Sequence, residues 1–130
     1  FVRALNRTGY MSPNLMGIYA AQTAYEYGRP WMEALKAYLA DNLEFVRSFI
    51  REELPGIRLV EPEGTYLIWL DCSGLGYSNE ELNYKVLNDA KLWLDEGSMF
   101  GEEGKGFQRI NIACPKSILE EAMWRFKKLM

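Results

Sequence analysis

The chain has 130 residues, 48% of them hydrophobic and 25% charged, and its 15 basic and 18 acidic side chains give a formal net charge of -3. This composition is typical of one globular domain with room for a real core. The sequence contains no histidine, which removes the commonest general base and metal ligand, and two cysteines, Cys72 and Cys114, are too few for a zinc site or a disulfide framework. A basic run and a 20-residue apolar stretch are both absent from the sequence, so neither nucleic acid nor a membrane is an expected partner.

The start of the chain predicts a piece of a longer protein. The sequence opens on Phe1-Val2-Arg3 instead of an initiator methionine and shows no signal-peptide pattern there. No internal repeat or low-complexity tract divides it. Two thiols in such a chain fit a reducing compartment, so we expect a cytoplasmic protein.

Two helices are predicted in the first half of the chain. The first follows Ser12-Pro13, a capping residue with a proline at the first helical position, and ends at Gly28. The second runs from Pro30 to about Glu53 and ends at Leu54-Pro55-Gly56, where proline cannot continue the helix. Its apolar side chains recur at intervals of three and four and form one stripe: Leu35, Leu39, Leu43, Val46 and Ile50.

After residue 56 the period of the apolar side chains changes from 3.6 to 2, which predicts strands. Ser78 and Glu81 have the spacing of a capping box and predict a helix, and Pro115 to Met130 predicts a closing helix. This order predicts an α/β fold in which helices cover a small mixed β-sheet. The predicted strands cover Ile57–Glu61, Thr65–Cys72, Leu92–Leu94 and Phe107–Ala113.

The last predicted strand carries the strongest candidate for chemistry. Strand alternation places Arg109 and Asn111 on one face and Ile110 and Ile112 on the other. Two side chains at this spacing lie about 7 Å apart. A guanidinium and an amide so placed could frame an anion, because the planar fork of arginine meets a carboxylate with two parallel hydrogen bonds. A solvated sheet face or a structural salt bridge is the commoner explanation of such a spacing, and both interpretations stay open at this point.

A glycine-punctuated loop, residues 97 to 106, precedes that strand. Its glycines do not have the dinucleotide-binding spacing, and it contains two acidic residues, Glu102 and Glu103, so a phosphate site is not expected. A mobile loop beside an active site is the better hypothesis. Lys105 lies between two glycines with no apolar pocket to lower its pKa, so it is not predicted to form a Schiff base.

Three segments together resemble one enzyme family. Pro62 to Asp71 resembles the strand entry of the cystathionine β-lyase-like branch of fold-type I pyridoxal phosphate enzymes, the MalY/PatB-type C–S lyases. Phe107 to Pro115 resembles the F-x-R-x-N-x-A-x-P segment near their C-terminus, which aminotransferases share in part. Asn14 to Trp31 resembles the long helices that leave the cofactor domain. The resemblance covers nearly the whole chain.

The resemblance implies that the chain is the C-terminal small domain of an aminotransferase-like enzyme. Residues 1–30 would be the tail of the cofactor domain with an inter-domain helix, and residues 31–130 the small α/β domain. In the family, the arginine that matches Arg109 binds the α-carboxylate of the amino-acid substrate, and Asn111 is a further candidate for substrate binding. Pyridoxal 5'-phosphate and its lysine would belong to the missing N-terminal cofactor domain, so no residue here is expected to be catalytic, to bind the cofactor or to bind a metal.

The implied activity is that of a C–S β-lyase, which converts a thio amino acid into a thiol, pyruvate and ammonia. The full enzyme is expected to be a homodimer, and the isolated chain is expected to be inactive because the cofactor does the electronic work. One alternative is an aminotransferase of the same superfamily. Another, of a different class, is a free-standing module that holds a small carboxylate ligand with its aromatic side chains and Arg109.

Overall fold

The computed structural model describes residues 1–9 and 14–130. These residues form two compact units, Phe1–Ala37 and Tyr38–Met130. The predicted cap of the first helix, Ser12-Pro13, lies outside the described residues. The predicted division after residue 30 stays a prediction.

The first unit is helical. A short helix that the sequence did not predict, α1 (Val2–Arg7), precedes α2 (Leu15–Tyr27). The side chain of Asn14 caps α2, since its Oδ1 accepts a hydrogen bond from the backbone N–H of Gly17 at 2.7 Å. Neither helix buries a residue. Several large apolar side chains of α2 are therefore exposed: Leu15, Met16, Ile18, Tyr19, Tyr25 and Tyr27.

The third helix, α3 (Arg29–Glu53), begins in the first unit and ends in the second. Burial along its predicted apolar stripe increases toward the C-terminal end. Leu35, Leu39 and Leu43 are half-buried, whereas Val46 and Ile50 are buried. The last three turns of α3 thus supply one wall of the core of the second unit.

The second unit contains a four-stranded sheet in the order β1-β2-β4-β3. Helices α4 (Asn79–Asn88) and α5 (Lys116–Phe126) and four 3₁₀ turns complete it. The α/β fold class is confirmed, but the prediction of a mixed sheet is wrong, because all three strand pairings are antiparallel. Only a short connection joins β1 to β2, and a parallel pair would need a crossover of a dozen or more residues. The strands are β1 (Arg58–Val60), β2 (Leu67–Asp71), β3 (Asp95–Glu96) and β4 (Phe107–Asn111).

The predicted strand over Leu92–Leu94 is also wrong, because β3 begins only at Asp95. The backbone N–H of Leu92 donates to the carbonyl of Val86 at 3.0 Å, so this segment closes the end of α4 and does not pair with β4. Trp93 is left almost fully exposed. The third strand is therefore two residues long and pairs only with the first half of β4.

One face of the sheet is covered by helices, and the other is partly open. Ile68 and Leu70 of β2 and Gln108 and Ile110 of β4 are buried on the covered face. The apolar run over β2 predicts a strand covered on both faces, but Trp69 on the opposite face is only half-buried. The helices contribute further core residues: Val46, Phe49, Ile50, Leu82, Val86, Leu119, Met123 and Phe126. The remaining core residues lie in the segments between or after these elements: Leu54, Ile57, Cys72, Ala90, Ile112 and Leu129.

Polar contacts fix α4 against the sheet. The predicted capping box is confirmed, since the side chain of Ser78 accepts from the backbone of Glu81 and the Glu81 carboxylate accepts from the backbone of Ser78. Buried Gln108 donates through Nε2 to Oδ1 of Asn83 at 2.7 Å, and Asn83 donates in turn to Glu96. These bonds satisfy the polar groups where α4 crosses β3 and β4.

Asp71 at the end of β2 makes the stability of the fold sensitive to acid. Burial raises the pKa of this carboxyl, but hydrogen bonds from Ser73, at 2.6 Å from the hydroxyl and 3.0 Å from the backbone N–H, and from Arg58 at 2.5 Å lower it more, so the net shift is downward. A lowered pKa contributes stability above the unfolded value of about 3.9, and this is lost as the pH falls through the folded value.

We therefore expect Asp71→Asn to remove part of the fall in the free energy of unfolding below about pH 4. Urea unfolding followed at pH 7 and at pH 3 measures this difference, with the exposed Asp41→Asn as the control. A pH dependence equal to that of the wild type would contradict this assignment.

Candidate functional site

The open face of the sheet places Arg109 between two partners on neighbouring strands. Arg109 of β4 lies opposite Trp69 of β2 on one side and opposite Asp95 of β3 on the other. Asn111 lies two residues further along β4, opposite Leu67. The structure therefore places the two predicted site residues on one face, as strand alternation requires.

Arg109 is fixed along one edge and on one face of its guanidinium. Its Nε and Nη2 both donate to Oδ2 of Asp95, at 3.1 Å and 2.5 Å. The ring of Phe100 packs against the guanidinium, with its centroid 4.5 Å from Cζ. The side chain of Arg109 is 25% exposed and that of Asp95 is 45% exposed. In the described part of the chain, no hydrogen bond involves Nη1 of Arg109, so this nitrogen is available to a ligand.

Aromatic side chains form an apolar wall beside the guanidinium. Phe100 and Phe107 both meet Trp69 edge-on, with ring centroids 5.2 Å and 6.2 Å from that of Trp69. A cavity of about 360 Å³ opens among these rings, with Val60 at its rim. The wall lowers the exposure of the guanidinium to water, which strengthens any charge-assisted hydrogen bond made there.

The glycine-punctuated loop holds Phe100 in this position by close backbone packing. A Cβ added to Gly97 would overlap the carbonyl oxygen of Gly104, and one added to Gly104 would overlap that of Gly97. Two 3₁₀ turns, Gly97–Phe100 and Glu102–Gly104, lie on either side of Gly101. The glycines therefore serve close packing here, and the mobility predicted for this loop stays a prediction.

Asn111 is exposed and ends β4. Its Oδ1 accepts a hydrogen bond from the backbone N–H of Ala113 at 2.8 Å, which leaves the carboxamide nitrogen as its free donor end. A shallow pocket of about 250 Å³ brings Asn111 and Arg109 together with Asp95, next to the exposed Trp93. The pocket has room for a small carboxylate, whereas the role of Asn111 in binding one stays a prediction.

Asn42 of α3 is a residue that the sequence analysis missed. It is fully buried, and its Nδ2 donates to the carbonyls of Ile112 at 2.8 Å and Cys114 at 3.1 Å. It thereby holds the turn that connects β4 to α5. Its signal in the sequence is a polar residue three positions after Leu39 and four before Val46, within the apolar stripe of α3.

Comparisons with known proteins show which enzymes the chain resembles. Cystathionine beta-lyase PatB of Bacillus subtilis (strain 168) is 35% identical over 127 residues, which are 98% of this chain and 33% of PatB. Protein MalY of Escherichia coli (strain K12) is 36% identical over 117 residues, which are 90% of this chain and 30% of MalY. Over nearly its whole length the chain is similar to MalY/PatB-type enzymes. The resemblance inferred from the sequence is confirmed.

A solved structure is similar over the same part of the chain. A PLP-bound protein of Clostridium difficile 630, named as an aminotransferase, superposes with a TM-score of 0.92 and 40% identity over 98% of this chain. The match covers 33% of that protein. The chain thus spans about a third of the length of the MalY/PatB-type relatives that it matches. No model of a protein family matches the chain.

Neither Lys105 nor the glycine-punctuated loop fits pyridoxal phosphate. Lys105 is exposed and forms an ion pair with Glu102 at 2.6 Å, and hydrogen bonding to that carboxylate raises the pKa of Lys105. A Schiff-base lysine needs a lowered pKa. Glu102 and Glu103 would also repel a phosphate bound at the glycine-punctuated loop. The donor set of the open face, built around Arg109, fits a carboxylate.

The two thiols differ in their access to solvent. Burial, together with the charge of Asp71, raises the pKa of Cys72 to about 12, and burial also raises the pKa of the half-buried Cys114. We expect iodoacetamide at pH 8 to alkylate Cys114 slowly in the folded protein and Cys72 only after unfolding, since the thiolate is the reactive form. Mass spectrometry of the peptides measures both rates. Alkylation of Cys72 as fast as Cys114 in the folded protein would contradict the burial described here.

Among the helices of the described ranges, none is long and apolar enough to cross a lipid bilayer.

Proposed function

We propose that the chain is the C-terminal small domain of a pyridoxal phosphate-dependent C–S β-lyase and that Arg109 binds the α-carboxylate of its thio amino acid substrate. The observation that carries this proposal is the setting of Arg109. Its guanidinium is fixed by Asp95 and Phe100 on the open face of the sheet, with Nη1 uncommitted among the described residues. The lyase activity is supported by PatB, which is named a cystathionine beta-lyase, and by MalY, since both align with nearly the whole chain.

The chain contributes binding and orientation to the proposed reaction. Arg109 offers two parallel N–H groups to the carboxylate, which fix both its position and its plane. The carboxamide nitrogen of Asn111 can supply a further donor from the same strand. Trp69 and Phe100 keep water from one side of the guanidinium, which strengthens these bonds. Orienting a substrate in this way lowers the entropic part of the barrier.

The chemistry of bond cleavage lies outside the described residues. Pyridoxal phosphate, where it is bound, acts as the electron sink for carbanion chemistry. We propose that a cofactor domain upstream of this chain holds it, and that no lysine of this chain forms a Schiff base with it.

We further propose that residues 1–30 are the tail of that cofactor domain and that residues 31–130 are the small domain. The unburied apolar side chains of α1 and α2 support this division, since an isolated helix that buries nothing needs cover from elsewhere. The proposed partners are the cofactor domain and a second copy of the enzyme. Two free thiols support a cytoplasmic location.

Product analysis of the full-length, cofactor-loaded protein tests the proposed activity. With cystathionine as substrate and no added keto acid, we expect a free thiol, pyruvate and ammonia in equal amounts. The alternative is amino transfer, which the name of the Clostridium difficile structure favours. Amino transfer would consume an added keto acid and leave the carbon–sulfur bond intact, and this outcome would replace the lyase assignment.

A further inference from the structure

We propose that Asp95 is a positioning residue: it holds the guanidinium of Arg109 so that one particular edge faces the substrate carboxylate. The inference deepens the proposed function and rests on it. Asp95 itself is not proposed to touch substrate or cofactor. It acts only through the guanidinium of Arg109.

The hydrogen-bond pattern shows which edge is left for a ligand. A guanidinium has two edges that can meet a carboxylate with paired N–H groups: the side edge, Nε with Nη2, and the end edge, Nη1 with Nη2. A single oxygen of Asp95, Oδ2, accepts from both nitrogens of the side edge. Phe100 covers one face. A carboxylate can therefore form a bidentate pair only with the end edge.

The local fold makes this arrangement rigid. Asp95 lies in β3, directly opposite Arg109 in the register of the sheet, so the backbones of both residues are fixed by strand pairing. Glu96, the next residue of β3, points to the opposite face and accepts a hydrogen bond from Asn83. Of the acidic side chains in the described residues, Asp95 is the one within ion-pair distance of Arg109.

An aspartate beside an anion site has two opposing effects: it orients the arginine, and it repels and competes with the anionic ligand. The carboxyl of Asp95 is almost half exposed, and water and salt screen its repulsion of a second carboxylate. The long arginine side chain, once released from Asp95, would have to be ordered again by each substrate molecule, at a cost in rotamer entropy. Loss of orientation should therefore outweigh loss of repulsion, and removal of Asp95 should weaken binding.

Steady-state kinetics of the full-length, cofactor-loaded enzyme test this inference. We expect Asp95→Ala to raise the KM for cystathionine about tenfold and to change kcat less than about threefold, because an unordered arginine weakens binding. Asp95→Asn keeps an acceptor oxygen in place and should restore most of the loss. Asp89→Asn is a matched control, since its carboxylate pairs with Lys85 and is exposed to a similar degree. A lowered KM in Asp95→Ala would show that Asp95 competes with the substrate carboxylate for Arg109. An unchanged KM would show that Asp95 serves only the structure of the domain. Either result overturns the proposal.

A second readout needs no cofactor. In the ¹⁵N-labelled full-length protein prepared without cofactor, the Nε–H signal of Arg109 should exchange slowly with solvent, and Asp95→Ala should accelerate this exchange at least about tenfold because the hydrogen bond to Oδ2 is lost. Equal exchange in both proteins would overturn the inference. A different result would refute the proposed function alone: Arg109→Ala would leave KM unchanged, while exchange of the Nε–H signal of Arg109 would still depend on Asp95.

Discussion

Replacing Arg109 with alanine in the full-length enzyme is expected to lower kcat/KM for cystathionine about 100- to 10,000-fold. Two charge-assisted hydrogen bonds to the carboxylate are lost, each contributing about 1.5–3 kcal/mol, and each 1.4 kcal/mol is tenfold in rate. Arg109→Lys should recover only a small part of the loss, because an ammonium cannot meet a carboxylate with two parallel bonds. Steady-state kinetics with cystathionine measure both variants.

Arg47→Ala is the matched control for this experiment. Arg47 is also half-buried and also pairs with a carboxylate through Nε and Nη2, in its case Glu61 with both distances 2.9 Å, but it lies on α3 away from the open face. We expect its kcat/KM to stay within about threefold of the wild type. If Arg109→Ala also changes kcat/KM by less than about threefold, Arg109 does not bind the substrate carboxylate.

Replacing Asn42 with alanine is expected to lower the free energy of unfolding of the chain by about 2–4 kcal/mol. The change leaves the carbonyl of Ile112 without its donor in the interior, and it removes one of the two donors to the carbonyl of Cys114, which keeps the hydroxyl of Tyr38 at 3.4 Å. An unsatisfied buried carbonyl costs about 1–3 kcal/mol, and the lost hydrogen bond to Cys114 adds about 0.5–1.5 kcal/mol. Asn42→Asp should be at least as harmful, since a carboxylate cannot donate to a carbonyl. Urea denaturation followed by tryptophan fluorescence measures both losses.

Asn88→Ala is the control that removes an asparagine whose hydrogen bond is not buried. The side chain of Asn88 also donates to one carbonyl, that of Tyr84 at 2.9 Å, but at the exposed end of α4. Its replacement should change the free energy of unfolding by less than about 0.5 kcal/mol. Equal losses in Asn42→Ala and Asn88→Ala would show that the buried contacts of Asn42 do not stabilise the turn after β4.

Local patterns in the sequence predicted much of the fold. The apolar stripe of α3 and the Pro-Gly stop after it gave the bounds of that helix to within one residue, Arg29–Glu53 against the predicted 30–53. The capping box at Ser78 located the start of α4. These features depend on residues within one or two turns of each other, so the sequence alone specifies them.

Features that depend on distant contacts could not be predicted in this way. The antiparallel order β1-β2-β4-β3 depends on which strands meet, and periodicity carries no information about that. Leu92–Leu94 has the composition of a strand, but the hydrogen bond from Leu92 to Val86 uses its backbone for the end of α4. Tertiary contacts override the local preference there.

The same distinction between local patterns and distant contacts applies to the candidate site. Alternation along β4 placed Arg109 and Asn111 on one face, which the structure also shows. The partners that give Arg109 its orientation, Asp95 and Phe100, lie 14 and 9 positions earlier in the chain and reach it through strand pairing and loop packing. No local pattern links Asp95 and Phe100 to Arg109. The sequence therefore predicts Arg109 as the binding group but not the residues that orient it.

The preference of the enzyme for a carboxylate over its neutral isostere tests the role of Arg109 most directly. Inhibition constants for L-alanine and L-alaninamide would be measured in the full-length, cofactor-loaded protein and in its Arg109→Ala variant. If Arg109 binds the substrate carboxylate, the wild type should prefer L-alanine by at least about tenfold, and the variant should bind the two within about threefold. The same preference in both proteins would show that another group binds the carboxylate.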